Sequence, residues 1–147
     1  MKKLTFTALF VMSAILAFAQ MESPVKWSYT AVKKTANEYQ IVLTATFAKP
    51  WHIYSQNTPD GGPVPTKISF SKNPLITTKG VTKEIGALHT THDKNFGVDV
   101  KYYSDKVQFI QTVIAKAKTN VNGTIEYMVC DDHQCLPPTT KNFSVKL

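Results

Sequence analysis

Apolar and polar residues alternate one for one through much of this chain, the two-residue period of half-buried strands. Val25 to Val32 alternates in this way, and Tyr39 to Phe47 repeats it with Tyr39, Ile41, Leu43, Ala45 and Phe47 on one face. Thr35-Ala36-Asn37-Glu38 is a turn between them, so the two form an antiparallel pair with its apolar face inward. Lys49-Pro50 interrupts the pattern before the aromatic run Trp51-His52-Ile53-Tyr54. Pro59-Asp60-Gly61-Gly62-Pro63-Val64-Pro65 is excluded from a strand interior, because each proline removes a ladder donor. Thr66 to Phe70 reads as a strand, Asn73-Pro74 as a turn, and Leu75 to Ile85 as one or two short strands. Gly86 to Gly97 reads as a loop, polar from His89 to Asn95, with the large apolar Phe96 immediately before Gly97. Val98 to Tyr103 is short and mixed, and Lys106 to Ala117 is a long strand. Asn122-Gly123 has the chemistry of a hairpin turn, which also accounts for the sequon Asn122-Gly123-Thr124 without a sugar. It leads into Thr124 to Val129, and Asn142 to Leu147 closes the chain. Nothing carries a helical period. Eight or nine short strands at intervals of about ten residues predict an all-β, antiparallel β-sandwich.

The N-terminus changes the setting. Lys2 and Lys3 precede an apolar run from Leu4 to Phe18, and Ala17-Phe18-Ala19 is a small-x-small cleavage site. The run is shorter than the ~20 residues that span a bilayer. Residues 1–19 are therefore expected to be a cleaved signal peptide, leaving residues 20–147 as one soluble exported domain that no longer touches the membrane. That length builds one real core and not two. The net charge of +7 falls to +5 once Lys2 and Lys3 leave. All the basic residues are lysine, scattered through strands and turns. Without arginine for bidentate contacts, they describe a solvated surface and argue against nucleic acid as a partner.

The chemistry concentrates in Tyr127-Met128-Val129-Cys130-Asp131-Asp132-His133-Gln134-Cys135-Leu136-Pro137-Pro138, which holds both cysteines. Strand-forming residues on either side place the pair at one end of a β-hairpin. An oxidising compartment permits the bridge. Closing so small a ring contributes only about 2 kcal/mol, roughly half of what a long-range bridge supplies. The fold should survive its opening, as a redox-cycling pair requires. By spacing alone the pair is equally a rigid clip or a redox site, since C-x4-C is not the thioredoxin C-x-x-C. Asp131 and Asp132 disfavour a thiolate, by ~0.7 kcal/mol at roughly 6 Å in water and more when desolvated. His133 offsets them when protonated. The expectation is a pair slow toward random disulfides. Zinc is a competing chemistry, with Cys130, Cys135 and His133 joined by His89 or His92. An exported pair tends to oxidise instead, so no metal or other cofactor is expected. No Ser/His/Asp set and no phosphate-cradling glycine loop is present.

These residues resemble a known family, the N-terminal periplasmic domain of the thiol:disulfide interchange protein DsbD. The resemblance spans nearly all of the mature chain. It rests on the cysteine segment with Tyr127 before it and Pro137-Pro138 after it, on Pro50-Trp51-His52-Ile53-Tyr54, and on Asp93-Lys94-Asn95-Phe96-Gly97. It implies an immunoglobulin-like sandwich, monomeric and periplasmic. Such a domain passes electrons, as a protein-disulfide reductase component, between a membrane-embedded thiol reductase and thioredoxin-like periplasmic proteins, including in cytochrome c biogenesis. By the resemblance Cys135 forms the mixed disulfide, Cys130 resolves it and Phe96 caps the pair. Tyr54, His52 and Asp93 then line the site, and Asp131, Asp132 and His133 tune its charge. Two departures stand out. A family member used for comparison has C-x5-C, one residue longer, and acids directly before the cap phenylalanine, where this chain has Lys94 and Asn95. The chain ends at Leu147, so the membrane reductase is expected to be a separate protein. The alternative from another class is a non-catalytic immunoglobulin-like binding module whose disulfide is a clip.

Overall fold

A computed structural model describes residues 23–94 and 96–147 of the protein; the expected signal peptide, residues 1–19, lies outside them. The described residues form nine strands and no helix. β1 (Val25–Lys33) and β2 (Glu38–Phe47) pair antiparallel along their whole lengths, from Val25 opposite Phe47 to Lys33 opposite Tyr39. β3 (His52–Tyr54) follows the Lys49–Pro50 turn, whose peptide bond is cis. β4 (Lys67–Phe70) lies beyond the proline-glycine stretch. β5 (Ile76–Asp93) and β6 (Val98–Ala115) form a long hairpin, and β7 (Asn120–Tyr127), β8 (Val129–Cys130) and β9 (Thr139–Lys146) complete the chain.

Two antiparallel sheets result, one of β1-β2-β6-β3-β8 with β5 on the other side of β6, the second of β4-β7-β9. They make an immunoglobulin-like sandwich. Ile41, Leu43 and Ala45 of β2, with Val107, Phe109 and Val113 of β6, face Val121, Ile125 and Tyr127 of β7 and Phe143 and Val145 of β9, all buried. Trp27 bridges the layers, with ring centroids 6.0 Å from Phe109 and 5.4 Å from Tyr127. Each of these large side chains contributes roughly 1.5–3 kcal/mol by burial. Neither cysteine belongs to this main core cluster.

Two sequence expectations are corrected. Gly86 to Gly97 is not a loop. His89 to His92 pair with Tyr102 to Asp99, and β5 runs the full 18 residues to Asp93 across two register shifts. Only the tip remains a turn, where Gly97 N–H donates to the Asp93 carbonyl (2.7 Å) and Gly97 has φ 68°. Most of β5 is exposed, so its side chains need no alternation, and its course is set by pairing with β6. The two readings of β6 likewise join into one strand. It passes from β3 to β2 as its neighbour at Asp105, whose φ of 66° an aspartate tolerates.

The second correction is Asn122-Gly123, which lies inside β7 and is not a turn. The chain reverses instead at residues 116–119. Gly123 is there for space. A Cβ at this position would sit 2.5 Å from Phe143 Cζ and closer still to the Ser69 carbonyl oxygen.

Candidate functional site

The cysteines lie where the chain changes sheets. β7 pairs with β9, and Tyr127 opposite Thr139 closes that hairpin. Between those two residues the chain crosses to the other sheet, where Val129 and Cys130 pair with Ile53 and His52 of β3. It then doubles back in a four-residue turn, with Asp131 N–H donating to the Gln134 carbonyl and Leu136 N–H to that of Val129, both at 2.9 Å. Cys130 and Cys135 are thereby opposite one another and joined, with Cα atoms 4.0 Å apart. Pro137 and Pro138, lacking N–H donors, end the pairing and let the chain return to β9. The expected position at a hairpin end is what the structure shows.

The two sulfurs differ in surroundings. Cys130 is 1% exposed and packs with Tyr54 and Val100, flanked by Val98, Tyr102 and Met128. Cys135 is exposed. A cleft of about 420 Å³ opens over the bridge, and every residue expected at the site lines it: His52, Tyr54, Asp93, Phe96, Cys130, Asp131, Asp132, His133 and Cys135. Phe96 comes from the β5–β6 tip, 40% exposed, its N–H donating to Asp93 Oδ1 (3.3 Å). Sequence reasoning missed Tyr102 and Val100, which reach the cleft from β6, and Thr91 of β5; His92, weighed only as a metal ligand, lines it too, as do Lys94 and Gln134. Placing the second half of β5 in a loop hid the first three of these, because register with β6 sets which residues meet.

The electrostatics are divided. Asp131 Oδ1 accepts the N–H groups of His133 and Gln134, each at 2.8 Å. The His133 bond first, and the Gln134 bond and the His133 charge with it, hold this exposed carboxyl below its usual range. It therefore stays anionic beside the bridge at neutral pH while it fixes the turn. His52 is held below its ordinary value, chiefly by burial, with Pro50 and the three acids acting the other way. Tyr54 is pushed up to about 12 by burial, with Asp93 and Tyr102 adding to it. The imidazole is neutral and the phenol protonated near pH 7.

His92 and His89, weighed as zinc ligands, are otherwise engaged. His92 Nδ1 lies 2.9 Å from Asp99 Oδ1, and the His89 ring stacks on Tyr102 with centroids 5.2 Å apart. Both sulfurs are in the bridge, so neither is a thiolate ligand.

Behind the cleft, Glu84 of β5 fastens the β3–β4 connection to the hairpin. It accepts Ser55 Oγ–H (2.6 Å), Gln56 N–H (2.7 Å) and Tyr103 Oη–H (3.0 Å). Burial first, then the Glu84 charge, pushes the Tyr103 phenol up to about 12.

A family model, "Thiol:disulfide interchange protein DsbD, N-terminal", matches residues 20–147. No curated protein matches the chain. Among solved structures, the reduced DsbD N-terminal domain of Neisseria meningitidis is 14% identical, with 88% of this chain and 90% of that one covered and a TM-score of 0.59. The DsbD N-terminal domain in complex with the PilB N-terminal domain, also from Neisseria meningitidis, is 12% identical, with 87% of each chain covered and a TM-score of 0.59. These likenesses bear out the immunoglobulin-like sandwich, and the family match covers the whole domain expected from the sequence. The chain therefore belongs to the family of N-terminal domains of the thiol:disulfide interchange protein DsbD.

Proposed function

We propose that residues 20–147 are an exported thiol:disulfide exchange domain working in the periplasm through Cys130 and Cys135. The observation that carries this reading is the unequal burial of the two sulfurs in one cleft. A partner's sulfur has to approach along the S–S axis, and the exposed Cys135 offers that approach. Cys130 waits in its apolar pocket and, after the mixed disulfide has formed, attacks Cys135 Sγ to release the partner. The electrons pass from sulfur to sulfur through a mixed disulfide, with no cofactor in the step. Its partners are thioredoxin-like proteins on one side and a membrane-embedded thiol reductase on the other. Support comes from the related Neisseria domain, solved in complex with the PilB N-terminal domain.

Phe96 is the cap in this reading, held over the cleft by the Asp93 turn and half open to solvent. Asp93, Asp131 and Asp132 make the cleft unfavourable to a stray thiolate, with His133 and Lys94 as counter-charges. Phe96→Ala is expected to speed reduction of the bridge by a small thiol several-fold with the fold intact. An unchanged rate removes the cap role.

The test of the function is the redox equilibrium of the mature domain in glutathione buffers, read by mass after thiol trapping. A reversible two-electron transition in a folded domain is expected. A bridge that stays closed until the domain unfolds makes it a clip and hands the role to a binding module.

A further inference from the structure

We propose that His52 is the proton acceptor for Cys130 when that buried thiol resolves the mixed disulfide. The inference rests on the exchange reading above and adds a residue to it. Its ground is register: His52 stands directly opposite Cys130 in the β3–β8 pair. Side chains so paired leave the same face of a sheet with Cβ atoms about 4.5–5.5 Å apart. Both line the one cleft.

Cys130 presents a problem that Cys135 does not. Attack requires a thiolate, and a thiol 1% exposed among Tyr54, Val100 and Met128 gives up its proton poorly to water. A base has to be close by. The carboxylates are less suited: Asp131 is spent on the N–H groups of its own turn, and Asp132 is exposed on that turn. His52 is oriented for the task. Tyr102 packs on its ring at 4.7 Å and Tyr54 stands edge-on at 5.4 Å. Its Nε2 lies 3.4 Å from Tyr54 Oη, at the loose end of hydrogen bonding, so that nitrogen remains able to accept a proton.

The charged and titratable groups around His52 come from each neighbouring element. Tyr54 belongs to its own strand, Tyr102 to β6, His92 and Asp93 to β5 and Lys94 to its tip, with Asp131, Asp132 and His133 on the turn after β8. The acids favour the imidazolium once it has formed, while burial keeps the resting ring neutral. In the step, the Cys130 S–H proton passes to His52. The Cys130 sulfur bonds to Cys135 Sγ, the bond from Cys135 to the partner sulfur breaks, and the partner leaves as a thiolate with that electron pair. The imidazolium then returns the proton to the partner's sulfur or to water. The dithiol is oxidised and the partner's disulfide reduced.

The test uses the reduced domain with glutathione disulfide, quenched in acid and read by mass. Two steps are resolved: formation of the glutathione adduct, then its loss as the Cys130–Cys135 bridge closes. His52→Phe and His52→Gln are both expected to slow the second step ~100-fold relative to the first at pH 7. In the wild type the second step rises with pH through the titration of His52, below the ordinary imidazole value, and then levels. In either variant it climbs about tenfold per pH unit instead, following the thiol alone. A Gln variant that keeps the wild-type rate and profile overturns the proposal, as does the same loss arising from His133→Gln. Wild type that forms no adduct with glutathione disulfide or with the disulfide of a thioredoxin-like protein overturns the exchange reading itself, and His52 falls with it.

Discussion

With Cys130 changed to alanine, the reduced domain will accumulate a stable mixed disulfide on Cys135 when given glutathione disulfide or a thioredoxin-like partner. With Cys135 changed to alanine, it will react at least about tenfold more slowly, because burial disfavours the Cys130 thiolate and closes the approach to its sulfur. The difference comes from the two environments, 1% exposure in an apolar pocket for Cys130 against an exposed turn for Cys135. Both variants should stay folded, since a ring this small supplies only about 2 kcal/mol and the core lies between the sheets. Trapped mass and a thermal melt together decide the matter. Equal reactivity of the two single-cysteine variants removes the assigned roles. Preserved partner binding in a Cys130→Ser, Cys135→Ser double variant, with no exchange in the wild type, leaves a binding module with a clip.

The second large effect is on stability. Gly123→Val is expected to cost about 3 kcal/mol or more, the upper end of what overpacking costs, and to lower Tm by roughly 10 °C. The new side chain has nowhere to go. Its Cβ alone would run into the Ser69 carbonyl of β4 on one side and the Phe143 ring of β9 on the other. Phe143 is itself held by Tyr29 and Phe70, with centroids 5.8 Å and 5.5 Å away, so it cannot simply swing aside. A thermal melt checks this. A loss below 1 kcal/mol would mean that β4 and β9 part more easily than their pairing with β7 implies. The same change at Gly80, where an added Cβ meets nothing within 4 Å, is the control; its cost comes from a φ of 71°.

The sequence was legible where a strand has one wet face and one dry face. β1 and β2 alternate because their inner residues are buried and their outer ones are not, and both their bounds and their pairing follow from that. It was misleading where neither condition held. β5 is exposed along nearly all its length, so nothing in its side chains separates an edge strand from a loop. Asn122-Gly123 carries turn chemistry, but a glycine is also what close packing against a neighbouring strand requires. Local chemistry does not distinguish the two uses; Phe143, twenty residues on, does.

The site divides in the same way. The amino-acid sequence alone determined that two cysteines close a small ring, that the ring adds little to stability, and that acids and a histidine share its turn. It also carried the resemblance that proposed roles for Cys135, Cys130 and Phe96. Only the tertiary structure decided that Cys130 is buried and Cys135 exposed, because burial depends on β8 leaving the β7–β9 sheet to pair with β3. Only that pairing sets His52 across from Cys130. Only the full length of the β5–β6 hairpin brings Phe96 and Asp93 into the cleft that holds the two cysteines. The physical reason is that alternation reports contact with a core as a whole, whereas a reactive site depends on which strand lies next to which, and in what register.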